Sequence, residues 1–473
     1  MANEYDLVVV GGGTGGYVAA IRASQLGKKV AIVEKGELGG TCLHRGCIPS
    51  KALLKSAEIY EQMQHADEYG VVTGGVSLDF GKVQNRKQSV VDQLHKGVES
   101  LMKKGKIDTY EGFGRILGPS IFSPSAGTIS VEMNNGDENV MLLPKNVLIA
   151  TGSTPKTLPG ITVDGEKVMT SDEALEMNEL PASIIIVGGG VIGVEWASML
   201  SDFGVDVTVV EYASRILPQE DKDISKEMHR QLERKGITIH TSAKVLPDTL
   251  TAGDMVTIKA ETEESSLELN ADKLLLSIGR SANVENIGLE NTDIIVENGL
   301  IQTNAMYQTK ESHIYAIGDV IGGMQLAHVA SHEGMTAVEH MNDNTPSPMN
   351  DKEIPSCIYS NPEAARVGWT EEEAKEAGYD VKVGKFPFQA IGKALVEGKT
   401  TGFVKIVADK ETDDLLGVHM IGPDVTNLIS EAGLAKVLDA TPWEIASSIH
   451  PHPTLSEVLG EAAMAVDGNE IHG

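Results

Sequence analysis

One stretch near the start of the chain alternates apolar runs with a glycine-rich turn and a helical segment. An apolar run at 7–10 leads into the turn, the helical segment covers about 17–26 and ends at Gly27, and a second apolar run covers 30–33. Short apolar runs bounded by turn signals are typical of strands buried in a parallel sheet. The pattern therefore predicts a strand, a turn, a helix and a second strand.

The same pattern returns later in the chain at a fixed distance. Apolar runs at 184–187 and 207–210 flank the second copy, whose helix ends at Gly204. Five residues of the first copy map onto the second when 177 is added to their numbers, so that each residue has a counterpart of the same type. The pairs are Gly11 and Gly188, Gly13 and Gly190, Gly16 and Gly193, Gly27 and Gly204, and Glu34 and Glu211.

Each copy carries a Gly-x-Gly-x-x-Gly turn between its first strand and its helix. The first glycine permits a tight turn, the second lets the backbone approach a pyrophosphate, and the third lets the helix pack closely against the strand. The phosphates then meet unpaired N–H groups and the positive end of the helix dipole. A single turn of this kind also occurs for packing alone, but two copies in full strand and helix context predict two dinucleotide sites.

The acidic residue that ends each copy is the predicted partner of a ribose hydroxyl. Glu34 has this place in the first copy and Glu211 in the second. A carboxylate at Glu211 repels a 2′-phosphate, and no arginine stands immediately beside it. The second copy is therefore predicted to prefer NAD over NADP.

Bulk composition limits the class of protein. A chain of 473 residues is predicted to form three or four domains. Its net charge of −29 disfavours nucleic acid and anionic membranes as partners, and fits either a merely soluble acidic surface or a basic protein partner. The apolar stretch 184–200 contains four glycines and Glu195, which indicate a strand, turn and helix instead of a membrane span. The first residues lack the basic region of a signal peptide, so a cytoplasmic enzyme is expected.

Cys42 and Cys47 have four residues between them. Zinc is disfavoured because His44 is the only other ligand nearby and Cys357 stands alone. A stabilising disulfide across so small a loop is worth roughly 2 kcal/mol and seldom persists in a reducing cytosol. The favoured hypothesis is a redox-active pair, with Cys47 near the start of a helix whose dipole favours a thiolate.

One motif strongly resembles the pyridine nucleotide–disulfide oxidoreductase family, the run GGTCLHRGCIPSK at 39–51. Within the family, the chain is similar over essentially its whole length to the members that reoxidise dihydrolipoyl groups of 2-oxo acid dehydrogenase complexes. The resemblance implies an α/β fold with two Rossmann-like dinucleotide-binding domains, for FAD and NAD, a central domain and a C-terminal α+β dimerisation domain. The implied bounds are 1–148 for the FAD domain, 149–275 for the NAD domain, 276–346 for the central domain that completes the FAD site, and 347–473 for the interface domain.

Other segments resemble the family's cofactor contacts. Residues 150–153 resemble its second flavin turn, 277–280 its return from the NAD domain, 315–320 its third flavin motif, and 325–328 the segment along the flavin ring. Asp319 is implied to hold the ribityl chain, although it could also be an ordinary turn aspartate. The implied FAD residues are Gly11, Gly13, Gly16, Glu34, Lys51, Gly114, Thr151, Gly152, Ser153, Asp319, Leu326, Ala327 and His328. The implied NAD residues are Gly188, Gly190, Gly193, Glu211, Val245 and Gly279.

The C-terminal run HPHPTLSE at 450–457 resembles the family's catalytic base. The resemblance implies that His452 is the general base for the dithiol substrate and that Glu457 orients its imidazole, with His450 a weaker candidate. Thr454 and Glu457 could also form a capping box for a terminal helix that ends near Val466, and both roles can coexist. The family further implies an obligate homodimer in which the histidine reaches the partner's disulfide.

The implied reaction passes electrons from a dihydrolipoyl dithiol through the Cys42–Cys47 disulfide and FAD to NAD. The substrate thiol attacks Cys42, and Cys47 leaves as the thiolate. Lys51, one helical turn beyond Cys47, could place a cation near the flavin, with Glu195 as its partner by resemblance. The alternatives are a solvated helix residue for Lys51 and a dipole-complementing acid for Glu195.

Rival functions remain at this point. A glutathione reductase would carry basic residues after Glu211 and Pro-Lys-Lys at 49–51, and a mercuric reductase would carry a further cysteine pair beyond Cys357. The non-catalytic alternative is an assembly subunit. The expected partner is the acyltransferase core of a 2-oxo acid dehydrogenase complex, whose lipoyl domains are the substrate and whose basic segment would suit the net charge of −29.

The chain departs from the family between its cysteines. Many relatives carry Asn-Val where this chain has His44 and Arg45. The change could tune the redox potential or the choice of partner, and it resembles versions from branched-chain 2-oxo acid complexes.

Overall fold

The protein is described by a computed structural model that covers residues 3–119 and 126–473. Within these ranges the strands are β1 Asn3–Val10, β2 Val30–Glu34, β3 Asp108–Leu117, β4 Thr128–Met133, β5 Val140–Ile149, β6 Ser153–Pro155, β7 Val168–Thr170, β8 Ser183–Val187, β9 Asp206–Val210, β10 Thr238–His240, β11 Lys244–Ala252, β12 Val256–Glu261, β13 Ser266–Ala271, β14 Lys273–Leu276, β15 Arg280–Ala282, β16 Val296–Glu297, β17 Leu300–Ile301, β18 Ile314–Ala316, β19 Ser356–Ile358, β20 Glu363–Gly368, β21 Val381–Pro387, β22 Phe403–Asp409 and β23 Leu415–Gly422.

The helices lie between these strands and after the last of them. They are α1 Thr14–Gln25, α2 Gly40–His44, α3 Cys47–Gln64, α4 Phe80–Gly105, α5 Ser171–Ala174, α6 Val191–Asp202, α7 Lys222–Arg234, α8 Ala327–Met341, α9 Glu371–Glu376, α10 Gly392–Val396, α11 Val425–Val437, α12 Pro442–Ser447 and α13 Glu457–Ala465. Within the described ranges, none of them combines the length and the apolar composition needed to cross a membrane.

The chain divides into two compact units. Unit 1 comprises Met1–Ala52, Gly81–Lys156 and Arg280–Met349, and unit 2 comprises Leu53–Phe80, Thr157–Gly279 and Asn350–Gly473. Each unit combines pieces of the domains expected from the sequence. The division into four domains therefore stays a prediction.

Unit 1 is built on a mainly parallel sheet. Its parallel strands lie in the order β3, β2, β1, β5, β18, and β4 pairs antiparallel with both β3 and β5. Leu7 of β1 lies opposite Val30 on one side and Asn146 on the other. The last four residues of β1 are all buried, as expected of a strand covered on both faces. The first two predicted strands are therefore neighbours at the centre of the sheet.

Unit 2 repeats this arrangement. Its parallel strands lie in the order β10, β9, β8, β14, β7, which corresponds strand for strand to β3, β2, β1, β5 and β18. The repeat extends to the helices, because α1 begins at Thr14 and α6 begins at Val191, 177 residues later. Two Rossmann-like sheets with equivalent first helices confirm the predicted fold class.

The first helix begins earlier than the sequence predicts. It starts at Thr14 instead of near Tyr17 and includes Gly15 and Gly16, although glycine is a poor helix former. A Cβ on Gly15 would come within 2.9 Å of the carbonyl oxygen of Ala330 in α8. Close packing against α8, which local propensity does not report, therefore favours glycine inside the helix.

The remainder of unit 2 contains two antiparallel sheets. β11, β12 and β13 form one, and β19, β20, β23, β22 and β21 form the other in that order. The five-stranded sheet packs with α11 and α13 around a core that includes Phe386 and Phe388. This is the α+β region that the sequence predicts near the C-terminus.

A buried ion network joins separate segments of unit 2. The ammonium group of Lys405, whose side chain is 3% exposed, lies 3.0 Å from Asp221 and 2.7 Å from Glu371. The Asp221 side chain is 1% exposed, and its carboxylate also caps α7. Burial lowers the pKa of His419, which faces Asp221, to about 4, so this ring is neutral at neutral pH. The buried cation therefore depends on its carboxylate partners.

Replacing Lys405 by methionine is expected to leave Asp221 and Glu371 without their shared cation. The expected loss is about 3–5 kcal/mol in the free energy of unfolding, measured by urea denaturation at pH 7. Lys410→Met is the matched control, because Lys410 contacts Asp380 at the surface and such a pair contributes about 1 kcal/mol or less. Equal losses from the two substitutions would contradict the importance of the buried network.

Candidate active site

The first fingerprint turn needs its glycines for different geometric reasons. Gly11 has φ +108°, a conformation that favours glycine. A Cβ on Gly16 would lie 1.9 Å from the carbonyl oxygen of Gly11, whereas a Cβ on Gly13 would meet nothing within 4 Å. The fold therefore requires the first and third glycines, and the second faces open space at the N-terminus of α1.

The second fingerprint turn has the same geometry. Gly188 has φ +109°, and a Cβ on Gly193 would lie 1.9 Å from the carbonyl oxygen of Gly188. A Cβ on Gly190 would again meet nothing within 4 Å. Open space at the N-terminus of a 12-residue helix fits a pyrophosphate, which is held by backbone N–H groups and the helix dipole. Both cradles therefore fit the dinucleotides FAD and NAD.

The two predicted ribose-binding acids also hold the fingerprint turns together. The Glu34 carboxylate accepts a hydrogen bond from the N–H of Gly12 at 2.6 Å, and Glu211 accepts one from Gly189 at 2.5 Å. Each acid thus fixes the residue between the first two glycines of its own turn. This role was not predicted from the sequence. The signal that could have revealed it is the constant spacing between the glycines and the acid in both copies.

The first arginine after Glu211 in the chain is held by other groups. Arg215 donates to the carbonyl oxygens of Pro218 and Glu220 at 3.0 and 3.2 Å, and it pairs with Glu372 at 3.1 Å. A 2′-phosphate would have to compete with all three acceptors for this guanidinium. The preference for NAD stays a prediction, which this arrangement favours.

The segment 37–47, which we call the redox turn, docks directly on the first fingerprint turn. The N–H of Gly39 donates to the carbonyl oxygen of Gly12 at 2.8 Å. A Cβ on Gly40 would come within 2.6 Å of the Cα of Gly13, so two backbones touch without an intervening side chain. The docking carries both cysteines to the edge of the first dinucleotide cradle.

Cys42 and Cys47 lie in contact within the redox turn. Cys42 belongs to α2, Cys47 is the first residue of α3 as predicted, and the two thiols share a hydrogen bond. That hydrogen bond and burial raise the pKa of the Cys42 thiol, and Lys51 offsets only part of the rise. The proton therefore stays on Cys42, while Cys47 at the helix N-terminus is better placed to be the thiolate.

The predicted second flavin turn and the predicted ribityl aspartate meet in one cluster of unit 1. The Ser153 hydroxyl donates to the carboxylate of Asp319, and Arg280 donates to the Ser153 hydroxyl at 2.7 Å. The Asn283 amide donates to the carbonyl oxygen of Thr151 at 2.9 Å. No contact role was predicted for Arg280 and Asn283. They reach this turn only because β15 pairs with β6.

Other predicted FAD residues have structural contacts of their own. A Cβ on Gly114 would come within 3.1 Å of Val33, so this glycine lets β3 pack against β2. Leu326 caps α8, and Ala327 and His328 are the first two residues of that helix. Gly152, in the second flavin turn, has φ +67°. Their contacts with FAD stay predictions.

The remaining predicted residues lie at the following places. Val245 is buried in β11, and Gly279 has φ +106° directly before β15. Glu195 is buried in α6, where its carboxylate accepts the N–H of Tyr359 at 3.0 Å. Lys51 belongs to unit 1 and Glu195 to unit 2, and their pairing stays a prediction.

The C-terminal histidine and glutamate form a hydrogen-bonded pair. His452 Nδ1 lies 2.9 Å from Glu457 Oε1, and the second oxygen of Glu457 accepts the N–H of Thr454 at 2.9 Å. Burial acts to raise the pKa of Glu457, but Thr454 and His452 outweigh it, so the pKa lies below its ordinary value. The His452 side chain is 77% exposed, which leaves its other nitrogen accessible to a partner.

The capping alternative holds only in part. α13 begins at Glu457, and the residue at its N-cap position is Ser456, not Thr454; the Ser456 side chain makes no capping hydrogen bond. The carboxylate still reaches back to the N–H of Thr454, as a capping box does. His450 forms a separate pair with Glu431 at 2.8 Å, and that hydrogen bond raises the pKa of His450.

No metal centre is visible in the part of the chain that the structure describes. There, no group of three or more histidine, cysteine, aspartate or glutamate side chains is arranged to hold an ion.

Two alanine substitutions in the second turn should separate fold from binding. Gly193→Ala is expected to lower the free energy of unfolding by about 1–3 kcal/mol, because its Cβ meets a backbone oxygen. Gly190→Ala should leave the unfolding free energy within about 0.5 kcal/mol but weaken NADH binding roughly tenfold, because its Cβ enters the phosphate space. Thermal unfolding and NADH fluorescence titration measure the two effects. Unchanged NADH binding by Gly190→Ala would contradict the assigned cradle.

Known protein families match nearly the whole chain. Residues 5–334 match the family described as pyridine nucleotide-disulphide oxidoreductase, and residues 354–463 match the dimerisation domain of the same family. The chain is 69% identical over its full length to a dihydrolipoyl dehydrogenase of Bacillus subtilis, which is also covered completely. It is 41% identical over its full length to the whole of a dihydrolipoyl dehydrogenase of Zymomonas mobilis.

Solved structures give the same fold. LpdA from Mycobacterium tuberculosis matches with a TM-score of 0.89 at 24% identity, covering 98% of this chain and 99% of that one. The HOCl-induced flavoprotein disulfide reductase RclA from Escherichia coli, solved as a Cu(II) complex, matches with a TM-score of 0.85 at 28% identity over 98% of this chain and 99% of that one.

Proposed function

The chain belongs to the dihydrolipoyl dehydrogenases of the pyridine nucleotide-disulphide oxidoreductase family, and from that premise we propose how its residues perform the reaction. The enzyme reoxidises dihydrolipoyl groups of 2-oxo acid dehydrogenase complexes, with FAD and NAD⁺ as cofactors. The rival assignments to a glutathione or mercuric reductase are thereby disfavoured. The single observation that supports our residue assignment is the contact of the redox turn, with its two cysteines, on the first dinucleotide cradle.

The first step is a thiol–disulfide exchange at the oxidised Cys42–Cys47 pair. His452 accepts the proton of one substrate thiol, and the resulting thiolate attacks the sulfur of Cys42. The Cys42–Cys47 bond breaks, and Cys47 keeps the electron pair as a thiolate at the N-terminus of α3. The second substrate thiolate then attacks the substrate sulfur bound to Cys42, which releases cyclic oxidised lipoyl and the Cys42 thiolate. That thiolate takes up the proton that the second substrate thiol released, in keeping with the raised pKa of Cys42.

The Glu457 carboxylate makes this proton transfer effective. Its hydrogen bond with Nδ1 fixes the ring of His452 so that Nε2 is the nitrogen that accepts the substrate proton. The lowered pKa of Glu457 keeps the carboxylate ionised, and its charge stabilises the imidazolium that forms. Glu457 thus acts on the substrate through His452.

Residues of both dinucleotide cradles would hold the cofactors that accept the electron pair. FAD and NAD⁺, when bound, supply the two-electron transfer from the Cys47 thiolate to the nicotinamide. Gly13 and Gly190 leave room for the two pyrophosphates, and Asp319 with Ser153 would hold the chain between phosphate and flavin ring. Lys51 would supply positive charge near the flavin, with Glu195 as its partner.

The dimerisation domain supports a homodimer. Large apolar side chains of this domain are exposed in the single chain, among them Leu434, Leu438 and Trp443. Exposed apolar surface of this kind is typical of an interface. We infer that the exposed His452 of one subunit serves the Cys42–Cys47 pair of the other, which makes each active site a shared one.

Mixing the purified yellow protein with dihydrolipoamide and NAD⁺ tests the reaction directly. We expect NADH to form in the wild type and not above background in Cys47→Ser, because the serine cannot form the disulfide that receives the electrons. Absorbance at the NADH band measures the rate, and the flavin spectrum with the oligomeric mass shows that the variant is intact. Absence of NADH from an intact, flavin-loaded wild-type dimer would refute the lipoyl reaction.

We further propose that the enzyme works in the cytoplasm, bound to the acyltransferase core of a 2-oxo acid dehydrogenase complex. The net charge of −29 favours a basic segment of that core as the contact. A pull-down with such a core should therefore retain the dimer at low salt and release it as ionic strength rises. Absence of binding at low salt would contradict the proposed partner. The negative control is a core whose basic segment has been replaced by acidic residues.

A further inference from the structure

Two histidines meet at one backbone carbonyl in the redox turn. His44 Nε2 lies 2.9 Å from the carbonyl oxygen of Leu38, and His95 Nδ1, from α4, lies 3.0 Å from the same oxygen. The two rings stand edge to face, with centroids 5.2 Å apart and an angle of 69° between their planes. Both side chains are largely buried, at 13% and 24% exposure. We call this arrangement the histidine clamp.

The acceptors around the rings determine where their protons lie. A carbonyl oxygen has two lone pairs, so Leu38 can accept from both rings if His44 carries a proton on Nε2 and His95 carries one on Nδ1. The second nitrogen of His44 lies 3.0 Å from the carboxylate of Glu37, which is also an acceptor. His44 therefore lies between two acceptors, the carbonyl of Leu38 and the carboxylate of Glu37. The Nε2 atom of His95 is 3.7 Å from Glu99, beyond hydrogen-bond distance.

The clamp acts on the residue that precedes the docking glycines. Leu38 is followed by Gly39, whose N–H bonds to Gly12, and by Gly40, which touches Gly13. His44 closes a ring from the end of α2 back to Leu38, and this ring contains Cys42. His95 ties the same carbonyl to α4, a helix distant in sequence.

We propose that His44 and His95 are positioning residues for the redox-active pair. They hold the carbonyl of Leu38, and thereby the orientation of the segment that carries Cys42 against the first dinucleotide cradle. The proposal rests on the assigned role of Cys42 and Cys47 and adds residues that touch neither substrate nor sulfur.

Matched substitutions separate the hydrogen bond from the bulk of the ring. Gln at 44 places an N–H near the position of His Nε2, and Asn at 95 places one near His Nδ1, whereas Leu at either position supplies no donor. The test uses the reduced, flavin-loaded dimer, and measures alkylation of the peptide that carries Cys42 and Cys47, together with the midpoint potential of that pair in a thiol–disulfide buffer.

We expect His44→Leu and His95→Leu each to change the alkylation rate by about threefold to tenfold, with a corresponding shift in the potential, because each loses one hydrogen bond. His44→Gln and His95→Asn should stay within about twofold of the wild type at pH 7.5, since they keep the donor. Wild-type rates in the folded Leu variants, or equal changes in the Leu and amide variants, would overturn the proposal. Neither measurement uses a lipoyl substrate, so their failure is distinguishable from failure of the dihydrolipoamide reaction.

Discussion

The close approach of two glycine backbones, Gly13 and Gly40, is the constraint on which the redox site depends. A Cβ on Gly40 would come within 2.6 Å of the neighbouring Cα, so a side chain there would separate the redox turn from the fingerprint turn. Because Gly13 also faces the phosphate space, one position serves both contacts. The dithiol is thus placed relative to the cofactor by backbone contact and not by flexible side chains.

The second copy of the fold uses the equivalent point differently. In the first copy, the carbonyl of Gly12 accepts the N–H of Gly39 from the redox turn. In the second copy, the carbonyl of Gly189 accepts the N–H of Leu217, which follows Arg215. One duplicated turn therefore receives a cysteine segment in unit 1 and a segment without cysteine in unit 2. Repetition of the fold within one chain is compatible with two different chemical tasks, because the tasks reside in what docks on the turn.

The two cysteines and the proposed base differ in where they carry protons and charge. The hydrogen bond that the Cys42 thiol donates to Cys47, together with burial, keeps a proton on Cys42, whereas the helix N-terminus favours a thiolate at Cys47. The proposed base, His452, lies far along the chain; its side chain is exposed, and Glu457 holds its ring. An exposed base is well suited to a substrate carried by another protein and to an active site completed by a second subunit.

The amino-acid sequence was enough to predict the duplicated units and their strands, and to single out the two cysteines and His452 as candidates for the chemistry. These features depend on local periodicity and on residue types at fixed spacing, which the chain order reports directly. It placed the start of α1 too late, and the N-cap position of α13 is occupied by Ser456 instead of Thr454.

The contacts between distant segments depend on the tertiary fold. Arg280 and Asn283 reach the second flavin turn because β15 pairs with β6, and His95 reaches Leu38 because α4 packs beside the redox turn. The helix start at Thr14 likewise follows from packing against α8. Such contacts join residues that are far apart in the chain, and no local pattern of hydrophobic and polar residues specifies which of them will meet.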